Sequence, residues 1–119
     1  MTELLGYKKC STCKNIEKLL NDKNIEYTYR ELDKDTPSAA ELKDLREKSG
    51  LDIGRFFNTS GIKYREMGIA QKRRSMTDDE CYELLASDGM LIKRPILLKD
   101  GKIFVGPQVK KYLEGDLDD

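Results

Sequence analysis

Two cysteines three residues apart, Cys10-Ser11-Thr12-Cys13, stand between a short apolar run and a segment with helical periodicity. Residues 3 to 7, with Leu4-Leu5-Gly6-Tyr7, read as a buried strand, and Ile16, Leu19 and Leu20 then recur at the spacing of a helix from Thr12 to about Leu20. Both thiols are therefore expected where a strand hands over to a helix. A helix N-terminus offers unpaired N–H groups and the positive end of the dipole, which favour thiolate over thiol, and Lys8, Lys9 and Lys14 add positive charge nearby. Cys10, at the mouth of the helix, is expected to be the more acidic and more exposed thiol. Cys13, one turn further in on the same face, is placed to attack an adduct formed on Cys10. Thiol–disulfide exchange is the chemistry this pattern supports. The same spacing is half of a zinc site, but four ligands are needed, and the chain offers only Cys81 besides, with no histidine. No metal site is expected.

The lack of histidine removes whole mechanisms. No Ser-His-Asp triad, Cys-His dyad or histidine-ligated metal can be built, so cysteine chemistry must rest on the helix dipole, lysine and arginine. Charged residues are 37% of the 119, yet 22 basic and 22 acidic side chains cancel, which argues against nucleic acid or an anionic membrane as the main partner. No apolar run approaches the ~20 residues of a membrane span, and the N-terminus lacks a signal peptide's hydrophobic region. A cytoplasmic protein is expected, and in that reducing compartment a close cysteine pair points to catalysis, sensing or metal binding rather than structure.

Ile25, Tyr27 and Tyr29 alternate with polar residues, the pattern of a second strand ending near Leu32, so the first third makes a right-handed βαβ unit with parallel strands. Ala39, Leu42 and Leu45 mark a helix ending near Ser49-Gly50, capped either by Ser38 with Glu41 or by Thr36 with Pro37 at the first helical position. Residues 51 to 75 carry no strand signal and read as short helices and turns. Within them Gln71-Lys72-Arg73-Arg74 reads as solvated surface, with a docking patch as the alternative. Thr77 and Glu80 form a second capping box, behind which Cys81, Leu84 and Leu85 share a face; Cys81 is expected to be a buried filler and not a third redox thiol. Pro95-Ile96-Leu97-Leu98 and Ile103-Phe104-Val105 flank an Asp100-Gly101 hairpin turn, and Gly106-Pro107 opens a last helix with Val109, Tyr112 and Leu113. A βαβ unit and a terminal ββα unit forming one mixed sheet, with a helical insertion at about 36–90, describe a single α/β domain of thioredoxin-like type. Residues 115–119 read as a disordered acidic tail.

The cysteine motif with Lys14, the stretch Lys63-Tyr64-Arg65-Glu66-Met67-Gly68 and the stretch Met90-Leu91-Ile92-Lys93-Arg94-Pro95-Ile96-Leu97 together give the chain a resemblance to the bacterial ArsC and Spx family of thioredoxin-fold proteins. In the arsenate reductases of that family the cysteine matching Cys10 attacks arsenate and arginines hold the oxyanion. The resemblance places one of those arginines at Arg94; the other two fall near Asn58, with Arg55 close by, and at Gly106. Spx regulators carry both cysteines and bind the C-terminal domain of the RNA polymerase α subunit. The thioredoxin fold further implies a cis peptide bond at Arg94-Pro95, at the start of the strand facing the thiols.

Three readings follow. The first is a thiol–disulfide oxidoreductase in which Cys10 attacks and Cys13 resolves, with glutathione, glutaredoxin or thioredoxin restoring the dithiol and no bound cofactor. The second is an arsenate reductase using glutathione and glutaredoxin. The third is an Spx-like redox regulator of RNA polymerase. Cys10 and Cys13 carry the chemistry of the first and third readings, and in the second Cys10 is the nucleophile with Arg94 as oxyanion ligand; Arg94, Ser11, Thr12 and Lys14 are the candidate substrate- or anion-binding residues.

Overall fold

The computed structural model describes residues 1–115, so all of the acidic tail beyond Gly115 lies outside the described residues. Two compact units emerge, Met1–Glu31 with Arg94 onward, and Leu32–Lys93.

The first unit is a four-stranded mixed sheet in the order β2-β1-β3-β4, where β1 is Thr2–Gly6, β2 Thr28–Glu31, β3 Ile96–Lys99 and β4 Lys102–Val105. β1 is central, parallel to β2 with Leu4 opposite Tyr29, and antiparallel to β3 with Leu5 opposite Ile96. A strand paired on both edges must be apolar along its length, which explains the run Leu4-Leu5-Gly6, every residue of it buried. The βαβ crossover is α1 (Ser11–Asp22), whose buried Cys13, Ile16 and Leu20 recur at three and four residues. It packs with α6 (Pro107–Leu113) on the sheet, and Leu4, Ile16, Leu20, Leu97, Phe104, Val109 and Leu113 form the core between them. Phe104 and Tyr112 stack with centroids 4.0 Å apart. β2 is shorter than the alternation of Ile25, Tyr27 and Tyr29 implied. Its pairing with β1 begins only at Glu3 opposite Thr28, so Ile25 and Tyr27 pack on the core from outside the sheet.

The second unit is helical: α2 (Ala39–Ser49), α3 (Ile62–Glu66), α4 (Ile69–Lys72) and α5 (Asp78–Ser87), with 3-10 turns at Ile53–Phe56, Arg73–Ser75 and Gly89–Leu91. Ser38 wins the capping of α2 in a full box with Glu41, whereas the Thr36 hydroxyl donates instead to the Leu32 carbonyl at 2.6 Å. Thr77 and Glu80 cap α5 in the same way. Cys81, only 2% exposed, faces inward with Tyr82 and Leu85. Arg46 ties α2 to α5, donating to the Leu51 carbonyl at 2.9 Å, to Asp78 at 2.9 Å and to Tyr82 Oη at 3.2 Å. The basic run is not uniformly solvated as expected. Arg73 lies 4.9 Å from the Phe57 ring centroid and donates to Tyr64 Oη at 3.1 Å, because its long side chain can cover aromatic surface while its charge stays hydrogen-bonded.

Candidate active site

β1 ends at Gly6, and the next three residues turn the chain so that the Cys10 N–H donates to the Tyr7 carbonyl at 2.9 Å. Cys10 is the N-cap of α1, with extended backbone angles, and its carbonyl accepts the first helical bond from Lys14 N–H at 3.1 Å. No side chain caps this end, so its amides are left for the Cys10 sulfur. Partial burial alone would raise that thiol's pKa. It is outweighed by the backbone N–H and the thiol of Cys13, the N–H of Thr12 and the Arg94 guanidinium, which together hold Cys10 below the ordinary thiol range.

Cys13 is the opposite case. Its side chain is 0% exposed. Burial pushes its pKa up to about 11, opposed by a hydrogen bond from the Tyr7 N–H at 3.5 Å and reinforced by the charge of neighbouring Cys10. Two thiols one helical turn apart therefore differ in both exposure and acidity, Cys10 half-buried and shifted toward the thiolate, Cys13 covered and shifted toward the thiol.

Arg94 brings the cation to the pair. Its guanidinium lies 5.3 Å from the Tyr7 ring centroid and bears on both sulfurs. The Arg94-Pro95 peptide bond is cis, Pro95 is buried, and its carbonyl accepts the Gly106 N–H at 2.8 Å.

The other residues singled out from sequence play smaller parts at the sulfurs. Ser11, Thr12 and Lys14 lie exposed on the first turn of α1, Thr12 acting on Cys10 through its backbone. Lys8, expected to add charge beside the thiols, is diverted: its ammonium sits 4.0 Å over the Tyr29 ring and pairs with Glu17 at 3.5 Å. Gly6, Tyr7 and Tyr29, which no sequence motif singles out, all line Cys13. A Cβ on Gly6 would lie 2.9 Å from Cys13 Sγ and 2.6 Å from Tyr29 Oη, so only glycine fits there. The signal available was a glycine ending an apolar strand just before the cysteines, together with the inward phase of Tyr29 in the next strand.

The sequence matches the ArsC family over residues 5–114. The chain belongs to the ArsC family. Its fold, with the thiols at the β1–α1 junction, is the thioredoxin-like arrangement of ArsC proteins. The uncharacterized protein YusI of Bacillus subtilis is 50% identical over 108 residues, covering 91% of this chain and 92% of that one. A protein described as related to the ArsC family, from Bacteroides fragilis, superposes with a TM-score of 0.87 at 41% identity, covering 94% and 96% of the two chains. A possible arsenate reductase from Streptococcus mutans gives 0.83 at 43% identity, covering 91% and 92%. More distant ArsC relatives diverge in name: an arsenate reductase in Rhizobium meliloti at 29% identity, the regulatory protein MgsR in Bacillus subtilis at 28%, and the global transcriptional regulator Spx 2 in Bacillus anthracis at 21%. Among the described residues no helix is long and apolar enough to cross a membrane.

Proposed function

We propose that this ArsC-family chain is a dithiol redox protein in which Cys10 attacks a substrate disulfide and Cys13 resolves the adduct. The observation that supports it is the unequal pair itself, one sulfur whose pKa is lowered by helix N–H groups and Arg94, the other buried beside it with its pKa raised. The Cys10 thiolate forms a bond to one substrate sulfur, and the second substrate sulfur leaves with the electron pair as a thiolate. Cys13 then loses its proton to solvent and attacks Cys10 Sγ, releasing the remaining substrate thiolate. The substrate disulfide ends reduced and the Cys10–Cys13 pair oxidised; two molecules of a small thiol such as glutathione, leaving as their disulfide, or one dithiol protein such as glutaredoxin or thioredoxin, itself becoming oxidised, restore the dithiol.

Capping Cys10 also prepares Cys13. The adduct removes the negative charge that raised the Cys13 pKa, while the Tyr7 N–H and the Arg94 charge remain to favour its thiolate. The reduced protein, treated with oxidised glutathione and digested for peptide mass analysis, is expected to carry a Cys10–Cys13 bridge with Cys81 unmodified. A bridge containing Cys81, or a stable glutathione adduct on Cys10 with Cys13 still a thiol, would overturn the assignment.

A further inference from the structure

We propose that Tyr29 is a working part of this pair: its buried hydroxyl donates a hydrogen bond to Cys13 Sγ as that thiol ionises, and so speeds the resolving step. The inference rests on the dithiol reading above and adds to it a residue from a different strand.

Tyr29 Oη is shielded from solvent and, among the described residues, has no hydrogen-bond partner. Such a buried hydroxyl calls for an explanation, because most buried side-chain polar atoms find one. It flanks the same point above Gly6 as Cys13 Sγ, 2.6 Å and 2.9 Å respectively from where a Cβ on Gly6 would sit. With no side chain at Gly6, the oxygen and the sulfur border the same space, and Cys13 bears on the Tyr29 phenol. The ring also carries the Lys8 ammonium, 4.0 Å from its centroid and itself paired with Glu17.

The charged and titratable groups around Cys13 fix the direction of the effect. Cys10 faces it from the same helix, Arg94 from the segment before β3, and Tyr29 from β2, with Glu17 acting on Tyr29 from α1. Burial, followed by the negative charges of Cys13 and Glu17 when ionised, pushes the Tyr29 phenol well above its usual value. The phenol therefore stays protonated wherever exchange runs and remains a donor. In the resting dithiol, Cys13 is a thiol and asks little of that donor. In the adduct, Cys13 gives its proton to solvent, and the O–H of Tyr29 joins the Tyr7 N–H in stabilising the new thiolate. The bond then formed is Cys13 Sγ–Cys10 Sγ; the bond broken joins Cys10 to the substrate sulfur, which departs with the electron pair.

A chromogenic aromatic disulfide, supplied at one equivalent to the reduced protein, reads both steps. Attack by Cys10 releases one coloured thiolate and resolution by Cys13 releases the second. For Tyr29→Phe, which keeps the ring under Lys8, the first phase is expected at the parent rate, which also shows that the site is folded. The second phase is expected to slow by about tenfold, the loss of one hydrogen bond to a charged group, with its pH midpoint moved upward. A second phase unchanged in rate and midpoint, both phases slowed alike, or a slowed second phase with the parent's midpoint would each overturn the role of the hydroxyl. Absence of a second phase in the parent would instead overturn the dithiol reading itself.

Discussion

Cys10→Ser is expected to reduce the rate of disulfide exchange by at least about a thousandfold, with the fold unchanged. A hydroxyl is not ionised near neutrality, so the helix N–H groups and Arg94 would surround a neutral, poorly nucleophilic oxygen. Cys13 cannot take over. It is fully covered, and a thiol with a pKa of about 11 is ionised to only about one part in ten thousand at pH 7, each unit being a factor of ten. Loss of the Cys10 charge eases that ionisation but leaves the burial. The release of coloured thiolate from an aromatic disulfide measures the effect. A variant retaining a tenth of the parent rate would mean that the attacking sulfur lies elsewhere.

Gly89→Ala is the substitution expected to damage stability most. Gly89 follows α5 in the helical unit, and a Cβ there would sit 1.7 Å from the Leu32 carbonyl oxygen and 2.4 Å from its carbon. Both are backbone atoms, so no side-chain rotation relieves the overlap and the two segments must part. A loss of more than about 4 kcal/mol is expected, in the range reserved for gross steric conflict. Gly50→Ala is the control. It puts a side chain at φ 70° with nothing within 4 Å, so it meets only left-handed backbone strain, roughly 1–2 kcal/mol. Urea midpoints for the two variants measure the difference; equal midpoints would contradict the close packing of Gly89 on Leu32.

What the sequence made legible was local. Capping boxes at Ser38 and Thr77, the Asp100-Gly101 hairpin and the cysteines at the start of α1 depend on neighbours within a few residues, and each is present in the structure. The pairing that makes Gly89 indispensable joins distant segments, and no local pattern announces it. The charge at Cys10 shows the same limit. Lys8 is adjacent in sequence but is drawn to Glu17 and the Tyr29 ring, while Arg94, far along the chain, reaches the sulfur. Tyr29 looked like one more residue of a half-buried strand face, because periodicity reports which side of a sheet a residue is on and not what its hydroxyl meets. The place of Arg73 in a basic run points to solvent, since composition cannot show the Phe57 and Tyr64 rings that receive it. The match at Arg94-Pro95 came from family resemblance, which carries long-range information that propensity and spacing lack.

The inequality of the two thiols is tested most directly by alkylating the reduced protein with iodoacetamide across a pH series and reading the rate at each cysteine by peptide mass analysis. As pH rises, alkylation at Cys10 is expected to reach its plateau with a midpoint below the ordinary thiol value of 9.0, while Cys13 stays protected and begins to ionise only toward about 11. A Cys10 midpoint at or above 9.0, or Cys13 reacting before Cys10, would contradict the assignment of Cys10 as attacking thiolate and Cys13 as the thiol held in reserve.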